Sequence, residues 1–242
     1  VVVFLQNKFP GLKVTYLDDD AKVAGDFITD LDIKMLPVFI FDKSIEKETS
    51  FKQIEKLVDT KKDYYLLKPS FSGVSFFLGR PRIKGAIDIF VSLKQKDISK
   101  FLETIRRLEE KHKNIKSNLH FLVFLDQNNQ LQSLSGVFEM EEYLRAVCVK
   151  EYHPDKFWDY LICRAKNIDS SWWDNCALSF GIETEKIRQC AQSEEAKGLL
   201  EENTRLTQEL NIYSLPSILF DNQEITTGSS ETRLEELERL IK

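Results

Sequence analysis

Short apolar runs alternate with amphipathic stretches along this chain. The runs "AIDIFVS" (86–92) and "HFLVFLD" (120–126) have the length and continuous apolar character of buried strands. Between them, apolar positions three and four residues apart over 99–113 predict a helix, with Asp97 or Ser99 as its N-cap. The same patterns predict, in the first third of the chain, strands at 13–17, 37–42 and 63–67 and helices at 21–31 and 50–59. The chain therefore has the pattern of an α/β protein.

The second half contains a long helical block. From Phe138 to Leu210 the apolar period is helical almost throughout. Proline, glycine and Asp-Ser turns divide it into helices at 138–151, 155–166, 171–180, 184–193 and 195–210. After it the pattern predicts strands at 217–221 and near 223–227 and a helix at 231–241. The Gly-, Pro- and Ser-rich stretch 68–85 predicts a final strand and then a linker, so we expect domains at 1–82 and 83–242.

Two segments repeat one pattern. "DIKMLPVFIFD" (32–42) and "NIYSLPSILFD" (211–221) share a Leu-Pro pair, Leu36-Pro37 and Leu215-Pro216, directly before an apolar run. Proline is normally kept out of strand interiors because it removes a backbone donor. A proline that opens an edge strand would explain one copy. Two copies in matching frames favour a specific positional role for the proline.

Composition and charge exclude some classes of function. The chain has 242 residues, a net charge of −5 and a pI near 5.4, without the basic stripe of a nucleic-acid-binding protein. No apolar run approaches the roughly 20 residues that a membrane-spanning helix needs. The chain begins within the apolar face of a predicted helix. We therefore expect that the N-terminal part of this helix precedes residue 1.

The order of elements, with Leu-Pro before the third strand of each unit, resembles the thioredoxin fold, in which that proline is characteristically cis. The block containing "VCVKEYHPDKFWDYLICRAKNIDSSWWDNC" resembles the helical insertion of DsbA-like proteins and the gamma-interferon-inducible lysosomal thiol reductase group. The resemblance covers about 86–242 and, more loosely, 1–82. It implies an α/β fold of two thioredoxin-like units in tandem, the second with a helical insertion over about 138–210, and a substrate groove at Leu36, Pro37, Leu215 and Pro216.

The reactive cysteines of that family are missing from these residues. The family places them just after the first strand, where a helix N-terminus lowers a thiol pKa. The corresponding positions here are Leu93, Lys94, Gln95 and Lys96, and none of them can form a disulfide. In the first unit the equivalent turn would precede Val1. A reactive Cys-x-x-Cys pair upstream of residue 1 therefore stays open as an expectation.

The four cysteines occur at intervals of 13 to 15 residues on separate predicted helices: Cys148, Cys163, Cys176 and Cys190. Zinc sites favour pairs two to four residues apart, and a reactive thiol favours a helix start after a strand, so both interpretations fit poorly. Free buried thiols remain an alternative to structural disulfides. Cys163 and Cys176 flank the 167–170 turn at similar distances, which predicts Cys163–Cys176 and leaves Cys148–Cys190. This is one of three possible connectivities.

Other candidate chemistry is weak. The histidines share no metal-ligand spacing, so we expect surface or capping roles, no metal site and no cofactor. The aromatic residues around Trp158, Trp172 and Trp173 are more typical of a core than of a ligand platform. The pair Glu141-Glu142 falls on a predicted exposed helix face.

The sequence thus predicts a redox-degenerate thioredoxin-fold protein outside the reducing cytosol. Its expected role is to bind an extended peptide or unfolded protein, or to serve as a scaffold. Two alternatives remain open. The chain could belong to a thiol–disulfide oxidoreductase whose reactive pair precedes residue 1, or it could be a structural domain of an envelope assembly.

Overall fold

The chain folds as two compact units. The computed structural model describes residues 1–71, 75–128, 130–210, 212, 214–229 and 231–241. The first unit contains Val1–Arg82 and Gln223–Thr226, and the second contains Ile83–Asn222 and Thr227–Lys242. The division after Arg82 lies where the linker pattern predicts one. The assignment of Gln223–Thr226 to the first unit was not predicted.

The first unit is built from short elements. In chain order these are α1 (Val2–Lys8), α2 (Lys22–Asp30), β1 (Met35–Leu36), β2 (Ile40–Asp42), α3 (Phe51–Ile54), β3 (Val58–Lys61), β4 (Tyr64–Leu67) and β5 (Ser75–Phe77). Strand β4 lies between β2 and β3, and both pairings are antiparallel. Strand β5 pairs antiparallel with β1 and with Glu224 and Ile225.

Two predictions for the first unit are wrong in detail. Residues 13–17 form no strand, and Val14, Tyr16 and Leu17 are exposed. Alternating apolar residues form a strand only where a neighbouring strand and a core receive them. The predicted strand 37–42 begins only at Ile40, and β1 ends at Leu36, directly before Pro37. This is where a residue without a backbone donor interrupts a ladder.

The second unit follows the predicted element order closely. Its elements are β6 (Ala86–Val91), α4 (Ile98–Lys111), β7 (Lys116–Phe121), β8 (Val123–Leu125), β9 (Leu131–Ser133), α5 (Val137–Tyr152), α6 (Phe157–Lys166), α7 (Trp173–Ser179), α8 (Thr184–Ala191), α9 (Glu194–Glu209), β10 (Ser217–Phe220) and, after β11 (Glu224–Thr227), α10 (Leu234–Leu240). Most of β11 belongs to the first unit. The run 120–126 is divided between β7 and β8.

Strand β6 occupies the interior of the second unit's sheet. It runs parallel to β7, from Ala86 opposite Lys116 to Val91 opposite Phe121, with α4 as the crossover. On its other side it pairs antiparallel with β10. Four of its residues, Ile87, Ile89, Phe90 and Val91, are between 0% and 2% exposed. Burial of the three consecutive residues Ile89 to Val91 shows that both faces are covered at the C-terminal end of the strand, which explains why its apolar residues do not simply alternate with polar ones.

Helix α4 packs one apolar face on this sheet. Five of its residues are buried: Ile98, Phe101, Leu102, Ile105 and Leu108. They recur at three- and four-residue intervals, as expected for a helix with one buried stripe. Gly228 approaches this face so closely that a Cβ there would lie 2.7 Å from the ring of Phe101. Glycine at position 228 is therefore required by packing.

Candidate functional site

The turn after β6 is the first part of the candidate site. Leu93 is 1% exposed and packs in the core of the second unit, so it presents no reactive atom to solvent. Lys94 and Gln95 are half-buried and Lys96 is exposed. The Lys94 ammonium pairs with Asp169. The turn is thus held by packing and by an ion pair, at the position where a thiol would be needed for disulfide exchange.

The Leu215-Pro216 bond is cis and lies beside this turn. Ser217, the residue after this bond, lies opposite Phe90 near the end of β6, where the turn begins. Pro216 is buried, and its carbonyl accepts a 2.7 Å hydrogen bond from the Gly228 amide. Among the described residues, neither the amide nor the carbonyl of Leu215 has a hydrogen-bond partner. One backbone residue at the edge of the turn is therefore available for pairing.

The Leu36-Pro37 bond is also cis, but its surroundings differ. Leu36 lies opposite Phe76 in the β1–β5 pair, so its own unit already supplies a neighbouring strand. Pro37 is exposed, whereas Pro216 is buried. The two Leu-Pro segments thus share a sequence pattern and a cis bond, but only Leu215 has unpaired backbone groups.

A buried carboxylate fixes the turn after β6. Glu139 is completely buried, and its Oε1 accepts from the Ser92 hydroxyl at 2.5 Å and from the Lys94 amide at 3.1 Å. Its Oε2 accepts from the Ser135 amide at 3.1 Å. Burial opposes ionisation, but the interactions with Ser92 and Tyr143 and the hydrogen bonds from the two amides outweigh it and hold the pKa of Glu139 below its usual value. Glu139 is therefore an anion beneath the turn.

A second buried carboxylate lies three residues further along α5. Glu142 is completely buried and pairs with Arg145 and Arg164, each at 2.9 Å. It also accepts a 2.6 Å hydrogen bond from the hydroxyl of Tyr160. Burial, reinforced by the charge of Glu142, raises the pKa of Tyr160 well above its usual value. The expectation that Glu141-Glu142 lies on an exposed face is correct for Glu141 and wrong for Glu142, because α6 covers only the latter.

The four cysteines form two disulfides in the pairing expected from the turns. Cys148–Cys190 joins α5 to α8, with 2.01 Å between the sulfurs, and Cys163–Cys176 joins α6 to α7, with 1.98 Å. No free cysteine remains. Cys148, Cys176 and Cys190 are buried, whereas Cys163 is half-buried. The disulfides differ in their access to solvent.

The aromatic residues of the block divide between core and surface. Trp173 is buried, while Trp158 is half-buried and donates its indole N–H to Glu109 at 2.6 Å. Trp172 is 69% exposed. A common ligand platform is therefore not formed.

The histidines are not assembled for metal binding. The expected surface role is wrong for His120, which is buried, lies 2.8 Å from Asp88 and stacks on Phe90. Within the described ranges, no group of three or more potential metal-ligating side chains occurs.

Comparison with known proteins identifies the fold. The chain matches no protein-family model, and no curated protein matches it in sequence. It is similar in structure to the thiol-disulfide exchange protein α-DsbA2 from Wolbachia pipientis, with a TM-score of 0.52 and 13% identity over 68% of this chain and 86% of that one. The chain has a DsbA/thioredoxin-like α/β fold.

Two further solved structures support this conclusion. DsbA from Klebsiella pneumoniae gives a TM-score of 0.50 at 12% identity, covering 76% of this chain and 96% of that one. ScsC from Proteus mirabilis gives 0.50 at 13% identity, covering 64% and 80%. At such identities the likeness concerns the fold alone. The described part of the chain contains no helix long and apolar enough to cross a membrane.

Proposed function

We propose that the second unit is a DsbA-like module that binds an extended protein segment and performs no thiol–disulfide exchange at the turn after β6. The observation that carries this proposal is the unpaired amide and carbonyl of Leu215, next to a cis Leu215-Pro216 bond. An extended peptide that adds to a sheet edge gains its affinity from such backbone groups.

The surroundings of the turn also oppose thiolate chemistry there. Thiol–disulfide exchange needs a thiolate, which is stabilised by nearby amides and positive charge. Here the amide of Lys94 already donates to Glu139, and the Lys94 ammonium pairs with Asp169. The anionic Glu139 would disfavour a second negative charge beside it. These contacts suit a fixed binding surface and not a reactive site.

Exposed apolar side chains beside the turn indicate the chemistry of the bound segment. The amides of Lys94 and Ser135 both donate to Glu139, which holds the stretch before α5 against the turn. Leu134 in that stretch is 61% exposed, and Val137 and Phe138, the first two residues of α5, are 66% and 76% exposed. Exposed apolar groups of this kind often mark interaction sites. We therefore infer a partner with apolar side chains, such as an unfolded or extended protein segment.

The cysteines support a location outside the reducing cytosol. All four are paired in disulfides, and such bonds persist in oxidising compartments. We propose an extracytoplasmic location. Mass spectrometry of the native protein with and without reductant tests this, because four free thiols in protein isolated from its source would contradict it.

The tandem arrangement also remains a proposal. Its support is the cis Leu36-Pro37 bond in the same sequence frame as Leu215-Pro216. Against it, the first unit forms no strand at 13–17 and its sheet order is β2-β4-β3. An experimental structure of the whole chain would test it by superposition of the first unit on thioredoxins.

Peptide titration followed by amide NMR tests the binding proposal. An extended apolar peptide should shift the amide signals of Ser214, Leu215 and Lys94. The same peptide with its pairing amides N-methylated should bind at least about tenfold more weakly, or about 1.4 kcal/mol, since only its backbone donors are lost.

Pro216→Ala and Pro37→Ala provide a matched pair of variants. The first should weaken binding, because it alters the segment that presents Leu215. The second should leave binding unchanged, because Leu36 is already paired with β5. Equal affinity for the methylated and unmethylated peptides, or equal loss in both variants, would refute the proposed groove.

A further inference from the structure

A cavity in the second unit brings one disulfide into reach of small molecules. It has a volume of about 500 Å³ and lies between α4 and α6. That volume falls within the usual range for small-molecule sites. Cys163 lines this cavity, and the other three cysteines do not. The Cys163 end of the Cys163–Cys176 disulfide therefore borders an open space large enough for a reactant.

Of the basic side chains that line the cavity, two form ion pairs with described residues and one does not. Arg106 pairs with Asp159 and Glu110, and Lys166 pairs with Glu103 at 2.6 Å. Arg107 also lines the cavity, is exposed, and has no ionic or hydrogen-bonding partner among the described residues. The acids of the cavity are thus engaged by other cations, which leaves one guanidinium open to an anion.

The unpaired guanidinium restricts the chemistry of a ligand. Arginine presents a planar set of donors that matches a carboxylate. A disulfide at the same cavity reacts with thiolates. We propose that this cavity is a second thiol–disulfide exchange site, at which a small thiol that carries a carboxylate attacks the Cys163–Cys176 disulfide.

The exchange balances without a further reagent. The thiolate attacks Sγ of Cys163 and forms a mixed disulfide, and the bond between Cys163 and Cys176 breaks. Cys176 leaves as a thiolate and takes a proton from water. In the reverse step the Cys176 thiolate attacks the mixed disulfide, restores the original bond and releases the small thiol.

The loop between the two cysteines is held independently of their disulfide. Arg164 donates to the carbonyls of Asn167 and Ser170, each at 3.0 Å, and pairs with the buried Glu142. The side-chain amide of Asn167 donates to the carbonyl of Cys163. Opening the disulfide therefore leaves the two helix ends close together, and the bond can form again.

Cys148–Cys190 serves as an internal reference. Cys148 is 0% exposed and Cys190 is 5% exposed, and both lie in the main core. An attacking thiolate would reach them only after that core opened. The two disulfides of one protein thus allow the contribution of the cavity to be measured without comparison to another molecule.

Differential alkylation and mass spectrometry of the native chain test the site. With 3-mercaptopropionate in excess, the expected product is a mixed disulfide at Cys163 and a free thiol at Cys176, with Cys148–Cys190 intact. An adduct at Cys176, or simultaneous opening of both disulfides, would overturn the proposal. Circular dichroism should show the helices retained after the reaction.

Arg107→Gln tests the choice of ligand. The rate at which the Cys163–Cys176 disulfide opens is divided by the thiolate concentration and compared for 3-mercaptopropionate and the neutral 2-mercaptoethanol. At low salt, the preference for the carboxylate thiol should fall by up to about fivefold in this variant, the range expected for one exposed charge pair. Arg205→Gln, another exposed arginine on a helix, is the matched control and should keep the preference. An unchanged preference in Arg107→Gln would contradict a carboxylate subsite.

Cys176→Ser provides an independent measurement. It leaves Cys163 as a free thiol at the cavity. This thiol should attack the disulfide of 3-mercaptopropionate faster than that of 2-mercaptoethanol, and Arg107→Gln in the same background should abolish the difference. Equal rates with both disulfides in the parent variant would refute the site.

Discussion

Helix α5 carries two buried carboxylates three residues apart, and they are stabilised in different ways. Glu139 accepts hydrogen bonds from a hydroxyl and two backbone amides, and these contacts tie the helix to the turn after β6. Glu142 pairs with two guanidinium groups and a tyrosine hydroxyl, and these contacts tie the same helix to α6 and the loop beyond it.

The difference lies in what remains when each carboxylate is removed. Loss of Glu139 would leave neutral donors without an acceptor, which costs roughly 1–3 kcal/mol for a buried group. Loss of Glu142 would leave the 2% exposed guanidinium of Arg164 without a counter-charge, and breaking a buried ion pair costs roughly 3–5 kcal/mol. The turn beside Leu215 is thus held by hydrogen bonds from neutral donors. The loop between Cys163 and Cys176 is held by an ion pair.

The largest effect is expected for Glu142→Gln. Because the amide cannot balance Arg164, the free energy of unfolding should fall by roughly 3–5 kcal/mol. Chemical denaturation followed by circular dichroism measures this change. Glu141→Gln is the matched control, since Glu141 is half exposed and should change stability by less than about 0.5 kcal/mol. Similar losses in the two variants would show that burial of Glu142 has no special role.

A smaller effect is expected for Glu139→Gln. One oxygen still accepts, but the new NH₂ group faces a backbone donor, so we expect a loss of roughly 1–3 kcal/mol. Hydrogen exchange should show faster exchange at the amides of Lys94 and Ser135. Unchanged exchange at both amides would mean that Glu139 does not fasten the turn.

The smallest effect concerns acid. The folded pKa of Glu139 lies below its usual value, so the unfolded chain takes up the proton first as the pH falls. The stability that the ionised Glu139 provides is present above about pH 4.5 and is lost as the pH falls through the folded pKa. The stability difference between the native protein and Glu139→Gln should therefore shrink in that range. Denaturation curves recorded at a series of acid pH values test this. A stability difference between the two proteins that grows as the pH falls would contradict a lowered pKa for Glu139.

Much of the second unit could be predicted from local pattern. Strand β6 is buried on both faces from Ile89 to Val91, and its short, largely apolar run predicts a buried strand. The apolar residues of α4 recur at helical intervals and likewise predict a helix with one buried face. The pairing of Cys163 with Cys176 follows from their symmetric positions about a turn, and it leaves a single partner for Cys148.

The site depends more on neighbours distant in sequence. Glu139, Glu141 and Glu142 are the same residue type within four positions of one helix, and only packing against the turn and against α6 distinguishes the two buried ones. The ion pair between Glu142 on α5 and Arg164 on α6 cannot be recognised from the sequence around either residue. The cavity at Cys163 likewise arises only where α4 and α6 meet.

The sequence by itself determined most of the order of strands and helices in the second unit, the two Leu-Pro segments and the absence of cysteines at Leu93–Lys96, because these features depend on residue type and short-range period. Tertiary structure alone decided that Leu36 is paired while Leu215 is not, that Glu142 is buried, and that one disulfide borders a cavity. Each of these depends on which element covers a residue, and that is set by contacts between segments far apart in the chain.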